Sequence, residues 1–217
     1  SFTFLPAVVL MDGVLTAEQF ADPSNAVNHV GVPERYARYY LQFVAKQPGL
    51  FGQSPHKAVA QILQELDNVR QAWRWGVMHG LTAELALALP NFSRAYDLAG
   101  LYQEAVTLWQ LAIEHWPAAA DMCEMDSPQE ILLRAQLQLE QARALAVLGQ
   151  YECALVCADL ALTQAQTVSA IPIQAAALHQ QGVAYYRQGD QAAALPLLEK
   201  AVALAGATDA ARLTADC

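Results

Sequence analysis

The sequence predicts an all-α chain: antiparallel helix pairs stacked into a superhelix (an α-solenoid), preceded by a short helical bundle. Three observations carry that reading. The 217 residues are 55% hydrophobic but only 8% aromatic, with much of the apolar content in Ala and Leu. Both are strong helix formers, and small side chains let helices approach closely. From residue 33 onward apolar residues recur at helical spacing, with no alternating β-rich run. Finally, LAGLYQEAVTLWQLAIEHWP (98–117), VLGQYECALVCADLALTQ (147–164) and RQGDQAAALPLLEKAVAL (187–204) share one pattern. Each reads Gly, one residue, Tyr or Gln, two residues, Ala, with a second Ala seven positions on.

The elements divide the chain into 1–32, 33–80 and 81–217. Residues 1–32 read as an extended apolar arm or the edge of a neighbouring domain. Within them VVLMDGVLT carries part of a DxDGV phosphatase motif, but Leu10 stands where the nucleophilic Asp belongs, which excludes phosphoenzyme chemistry. Pro33 suits the first position of a helix, where its missing N–H costs nothing. Tyr36, Tyr39, Tyr40 and Phe43 follow at i, i+3, i+4 and i+7 and are expected to face the core. After the loop PGLFGQSP, a single helix is expected from about His56 to His79, stopped by Gly80 as a C′ residue. Its apolar stripe is Val59, Ile62, Leu63, Leu66, Val69, Trp73 and Val77, with Trp75 almost opposite. Gly100, Gly149 and Gly189 end later helices, and DMCEMD (121–126) is an acidic linker. SPQE (127–130) is a capping box: Ser127 caps, Pro128 opens, Glu130 reaches back.

Charge and cysteines exclude several classes. Residues 1–80 balance six Lys/Arg against six Asp/Glu, while 81–217 hold six against fifteen and supply the whole net charge of −9. No basic stripe is available for phosphate contacts, so direct nucleic-acid binding is not expected. No run of about 18 apolar residues predicts a membrane span. Cys123, Cys153, Cys157 and Cys217 form no CxxC pair. Cys153 and Cys157 stand one helical turn apart, but no His or carboxylate cluster completes a metal site, so two buried or half-buried thiols in a reducing cytoplasm are expected. His29, His56, His79, His115 and His179 are scattered, and no GxSxG or HExxH is present. Neither catalysis nor a cofactor is expected.

The three Gly–Tyr/Gln–Ala units resemble the tetratricopeptide repeat (TPR), most closely in the third, where Gly182 and Tyr185 also fit, and in the first, where Trp109 and Pro117 do. A helix pair this short cannot bury its apolar face alone, so such pairs stack and share a core. The glycine intervals here are 49 and 40 residues, longer than the standard 34 of the resembled repeat.

The order RYARYYLQFV, then AVAQILQELDNVRQAWRWGVMHG, then long TPR-like helices, resembles part of the bacterial STAND signalling ATPases. These are multidomain regulators, several of them LuxR- or SARP-type transcription factors, with an NB-ARC-like nucleotide-binding core and a helical sensor. The resemblance implies that 33–80 bridges such a core to the repeats, and that the chain is the bridge and sensor without its motor. It has no GxxxxGK[ST] phosphate loop and should not bind ATP by itself.

By that resemblance the chain is a non-catalytic module that senses an effector or binds a protein or peptide; a free-standing TPR scaffold is the alternative. In the resembled stacks the first helix of each pair lines a groove. Transferred here, the groove residues are Arg94 and Asp97, then Arg143, then His179, Tyr186 and Arg187. Such a set suits a carboxylate-bearing peptide or a small anionic effector, or else is a solvated face with no ligand. Arg70, on the apolar stripe, either pairs with Asp67 or meets the ATPase domain of the same polypeptide. Trp75 is expected to pack on a neighbouring helix or on that domain.

Overall fold

The computed structural model describes residues 9–10, 13–14, 32–47, 50–51, 55–115 and 127–215. Apart from one two-residue antiparallel ladder, β1 (Val9–Leu10) with β2 (Gly13–Val14), every regular element among them is a helix. These are α1 (Val32–Ala45), α2 (Pro55–Gln64), α3 (Leu66–Met78), α4 (Thr82–Ala99), α5 (Tyr102–His115), α6 (Pro128–Val147), α7 (Tyr151–Thr167), α8 (Ile171–Gln188) and α9 (Gln191–Ala215). None is long and apolar enough to cross a membrane.

One joint is used again and again. Gly80, Gly100, Gly149 and Gly189 all sit in the left-handed region, with φ of 67°, 72°, 77° and 89°. At each, the next residue's N–H reaches the carbonyl five positions back: Leu81 to Gly76, Leu101 to Tyr96, Gln150 to Leu145 and Asp190 to Tyr185, at 2.9–3.0 Å. This hydrogen bond closes a Schellman turn and satisfies carbonyls that the helix end leaves open. The α7–α8 joint has the same bond, Ala170 to Ala165 at 2.8 Å, but Ser169 occupies the left-handed position at φ 55°. Gly80 to Gly100 and Gly149 to Ser169 to Gly189 are therefore steps of 20 residues, one helix and one turn each. Two steps make the 40-residue interval; the 49-residue interval contains the stretch 116–126, including DMCEMD, which lies outside the described residues.

Helices α1–α3 pack with α4 and α5 around one core. Trp73, Phe92, Tyr96 and Trp109 meet there with ring centroids 4.8–6.0 Å apart, tilted or edge-on. Such pairs add about 0.5–1.5 kcal/mol each beyond their burial. The last carbonyls of α1, Val44 and Ala45, accept from the Asn91 amide at 2.9 and 3.0 Å, so α4 caps α1. From there helices stack in order. Each packs on its successor from α5 to α9, and α4, α6 and α8 also touch in sequence. Helix α6 is the most enclosed; it begins at the expected capping box, with Ser127 Oγ accepting from the Glu130 N–H and Glu130 Oε2 from the Ser127 N–H.

Two expectations need correction. The 56–79 helix is interrupted at Glu65, whose backbone leaves helical geometry (φ −104°, ψ 15°) and whose N–H bonds Ile62, three residues back. Its carboxylate accepts from Asn68 Nδ2 at 2.7 Å and Tyr40 OH at 3.2 Å. The aromatic stripe of α1 also lies at the edge of the core and not inside it, with Tyr40 and Phe43 packed against it. Ala37, Leu41 and Val44 form its buried stripe, while Tyr39 is 56% exposed and Tyr36, Tyr40 and Phe43 are half-buried. Their rings pack edgewise on one another, and Tyr36 OH donates to Asn68 at 2.7 Å. A phenol keeps its hydroxyl toward water or a polar partner, which Asn68 and Glu65 supply at the start of α3.

Candidate functional site

Arg94 and Arg143 hold equivalent positions, six residues before Gly100 and Gly149. Each guanidinium is paired within its own helix: Arg94 Nη1 to Asp97 Oδ2 at 2.6 Å, Arg143 Nη1 to Glu140 Oε2 at 2.9 Å. The arginines are well exposed, so pairs of this kind contribute about 0–1 kcal/mol and exchange readily for another carboxylate. Arg187, on α8, donates to the Ala146 carbonyl at 2.9 Å, placing a cation on the C-terminal turn of α6, where the helix dipole favours it.

Tyr102, at the start of α5, completes the cluster. Its hydroxyl donates to Asp97 Oδ1 at 2.9 Å and lies 3.2 Å from the Asp97 carbonyl. Burial, then the hydrogen bond to Asp97, raises its pKa, while the nearby guanidiniums of Arg187 and Arg94 pull it back. Arg94 and Asp97 thus meet beside Tyr102, with Arg187 near enough for its charge to lower the Tyr102 pKa. Arg143 is set apart, its Glu140 partner also accepting from Ser93 Oγ. His179 and Tyr186 are exposed on α8, and no hydrogen bond among the described residues joins them to the cluster.

Arg70 ties α3 to α4 and α5. Its donors go to Asp67 Oδ1 at 2.7 Å, to Tyr96 OH at 3.3 Å and to the Glu104 carboxylate; Tyr96 OH also donates to Glu104 at 3.0 Å. Trp75 is half-buried against the core around Trp73 and stacks on His79, one turn on, at 3.8 Å and 8°. The His79 ring meets the Trp75 carbonyl at 2.9 Å.

Gln141 and Arg143, two residues apart, point to opposite sides of α6. On the Gln141 side lies a cavity of about 410 Å³, lined by Gln110, Gln141, Leu145, Cys153, Val156 and Cys157 among others. Gln141 Nε2 donates to Gln110 Oε1 at 2.6 Å, and Cys157 Sγ contacts Gln141 Oε1 at 3.5 Å. Cys157 is half-buried as expected, and burial raises its pKa to about 11; Cys153 is exposed, against expectation. Both thiols line the cavity from one face of α7, with Cys153 at its solvent-exposed end. Among the described residues no three His, Cys, Asp or Glu converge to hold a metal ion.

Comparison with protein-family models, with curated proteins and with solved structures finds no match.

Tyr102, Glu140 and Ser93 were not foreseen as parts of this face. For Tyr102 a signal was present: Tyr102 and Tyr151 both stand two residues after a joint glycine. Glu140 and Ser93 meet across 47 residues, a separation no local pattern reveals.

Proposed function

We propose that the chain is a non-catalytic, TPR-like helical-repeat module that recognises a carboxylate-bearing peptide or small anionic effector on the face formed by α4, α6 and α8. The observation that carries the reading is a segregation of charge. Between residues 81 and 206 every arginine (Arg94, Arg134, Arg143 and Arg187) stands on one of these first helices. The second helices carry Glu104, Glu114, Glu152, Asp159, Glu199 and Asp209 against Lys200 and Arg212, while the first helices match their four arginines with Glu84, Asp97, Glu130 and Glu140. In a chain of net charge −9 the first helices are thus neutral overall and repel an anion least. The order of packing supports repeat stacking: α4 on α6 on α8, and each second helix on the first helix that follows.

The exchangeable pairs at Arg94 and Arg143 supply the chemistry. A ligand carboxylate takes over a guanidinium already oriented by its neighbour on the helix, while Asp97 and Glu140 return to water. Within a STAND-type regulator, the parent that the 33–80 segment resembles, such a ligand would act by binding one conformation better than another. Arg70, joined to Glu104, would keep bridge and sensor rigid with respect to each other.

A thermal-shift screen of acidic peptides and of small di- and tricarboxylates tests this. Hits should lose binding in Arg143→Glu and Arg187→Glu, and the two compound sets separate a peptide ligand from a small effector. Hits unaffected by both substitutions would place binding elsewhere.

A further inference from the structure

The second helices repeat as closely as the joints. Six residues after the glycine stand Val106, Leu155 and Leu195; thirteen after it, Ile113, Leu162 and Val202. These two positions are seven apart and share one helix face. On α5 that face is covered by α6: Val106 packs with Leu145 and Ala146, and Ile113 joins the core that contains Leu133 and Leu137. On α7 it is covered by α8, Leu162 packing with Ile173, Ala176 and Ala177, and Leu155 is half-buried. On α9 the same face is open: Leu195 is 60% and Val202 72% exposed.

A polar contact repeats with them. Ten residues after the glycine stand Gln110, Asp159 and Glu199. Gln110 accepts from Gln141 Nε2 of α6 at 2.6 Å, and Asp159 from Gln181 Nε2 of α8 at 3.4 Å. Both donors are buried glutamines eight residues before a joint glycine. Glu199 is the third acceptor of the series, exposed between the two open apolar positions.

We infer that Leu195, Glu199 and Val202 of α9 form a docking surface for an amphipathic α-helix of the kind that α6 and α8 provide. Its occupant carries an aliphatic stripe of Ala, Leu or Ile and a glutamine whose amide donates to Glu199. The interfaces α5–α6 and α7–α8 specify that occupant, because the α9 surface continues them in register: apolar, acceptor, apolar. A carboxylate at 199 is a stronger acceptor than the amide at 110, which suits this position to a protein amide donor. The surface is distinct from the arginine-bearing face and is independent of what binds there.

The test appends a second copy of residues 170–188, the α8 sequence, to the full chain through a flexible Gly/Ser linker. Tethering raises the effective concentration of the helix to the millimolar range. The melting temperature should rise by several degrees over a linker-only control. Leu195→Asp with Val202→Asp should abolish the rise; both side chains are exposed in the untethered chain, so the doubly substituted control should keep its helical circular dichroism. Replacing the appended glutamine with Leu should reduce it. No rise, or a rise that survives the double substitution, overturns the inference. Self-association of the untethered chain that the double substitution removes, seen by sedimentation, would overturn it in favour of a second copy as occupant.

Discussion

A Cβ placed on Gly182 would come within 2.7 Å of both Cδ2 and Cγ of Leu198, and 3.3 Å from the Ala194 carbonyl. Helices α8 and α9 are therefore in contact at a point where no side chain fits. Alanine would raise local helix propensity by about 1 kcal/mol, but overpacking costs about 1–3 kcal/mol. Because Cγ of Leu198 moves aside only by leaving its χ1 rotamer in a packed helix contact, the clash should win. Gly182→Ala is expected to destabilise the chain by about 1–2 kcal/mol in urea denaturation, with Leu198→Ala restoring part of the loss. Gly206→Ala, on α9 with nothing within 4 Å, should instead stabilise by up to about 1 kcal/mol.

Ser169 is the non-glycine at a joint that glycine otherwise fills. Holding an L-residue in that conformation costs about 1–2 kcal/mol, part of which glycine would return as unfolded-state entropy. Ser169→Gly should raise stability by about 0.5–1 kcal/mol, and Gly189→Ala should lower it by about 1 kcal/mol, both read from urea midpoints.

Arg70 and Glu104 lie 34 residues apart and join α3 to α5, with Tyr96 OH shared between them. Arg70→Met removes three donors and leaves Glu104 with the phenol alone. A loss of about 1–3 kcal/mol is expected, accompanied by a change in tryptophan emission, since Trp73 and Trp109 pack beside Tyr96. Unchanged stability would show that the pair is solvated in solution.

The two thiols of α7 should titrate apart. Burial shifts Cys157 from its ordinary value near 9 to about 11. A folded-state pKa raised in this way means that its stabilising contribution is intact below pH 9 and is lost as pH rises towards 11. At pH 8 a thiol reagent should modify exposed Cys153 quickly and Cys157 slowly, with the Cys157 rate still climbing beyond pH 10. Equal rates at pH 8, measured on the Cys153→Ser and Cys157→Ser variants, would contradict the packing of Cys157 against Gln141.

The architecture was legible where it rests on local chemistry. Gly100, Gly149 and Gly189 announce their turns because left-handed backbone selects glycine, and the Ser127–Glu130 capping box lies within four residues. Ser169 hides an equal turn behind an ordinary residue, so the 20-residue step could not be seen until the joint was. In α1 two stripes compete at helical spacing. The aromatic one looks more apolar, yet Ala37, Leu41 and Val44 take the core because the hydroxyls of Tyr36 and Tyr40 need Asn68 and Glu65. At the candidate site Arg94 and Asp97 could be paired by their i, i+3 spacing. The convergence of Tyr102 and Arg187 on them depends on how three helix pairs stack, which no local periodicity encodes.

If the α4–α6–α8 face holds an anion, Arg143 gives up Glu140 of its own helix and Arg187 the Ala146 carbonyl of α6 to bind it. Isothermal titration of the strongest acidic hit against the wild type, Arg143→Glu and Arg187→Glu measures it most directly. Binding should be saturable, weaken with salt and fall at least tenfold in each variant, while Leu195→Asp/Val202→Asp leaves it unchanged. Equal affinity in all of these proteins would contradict it.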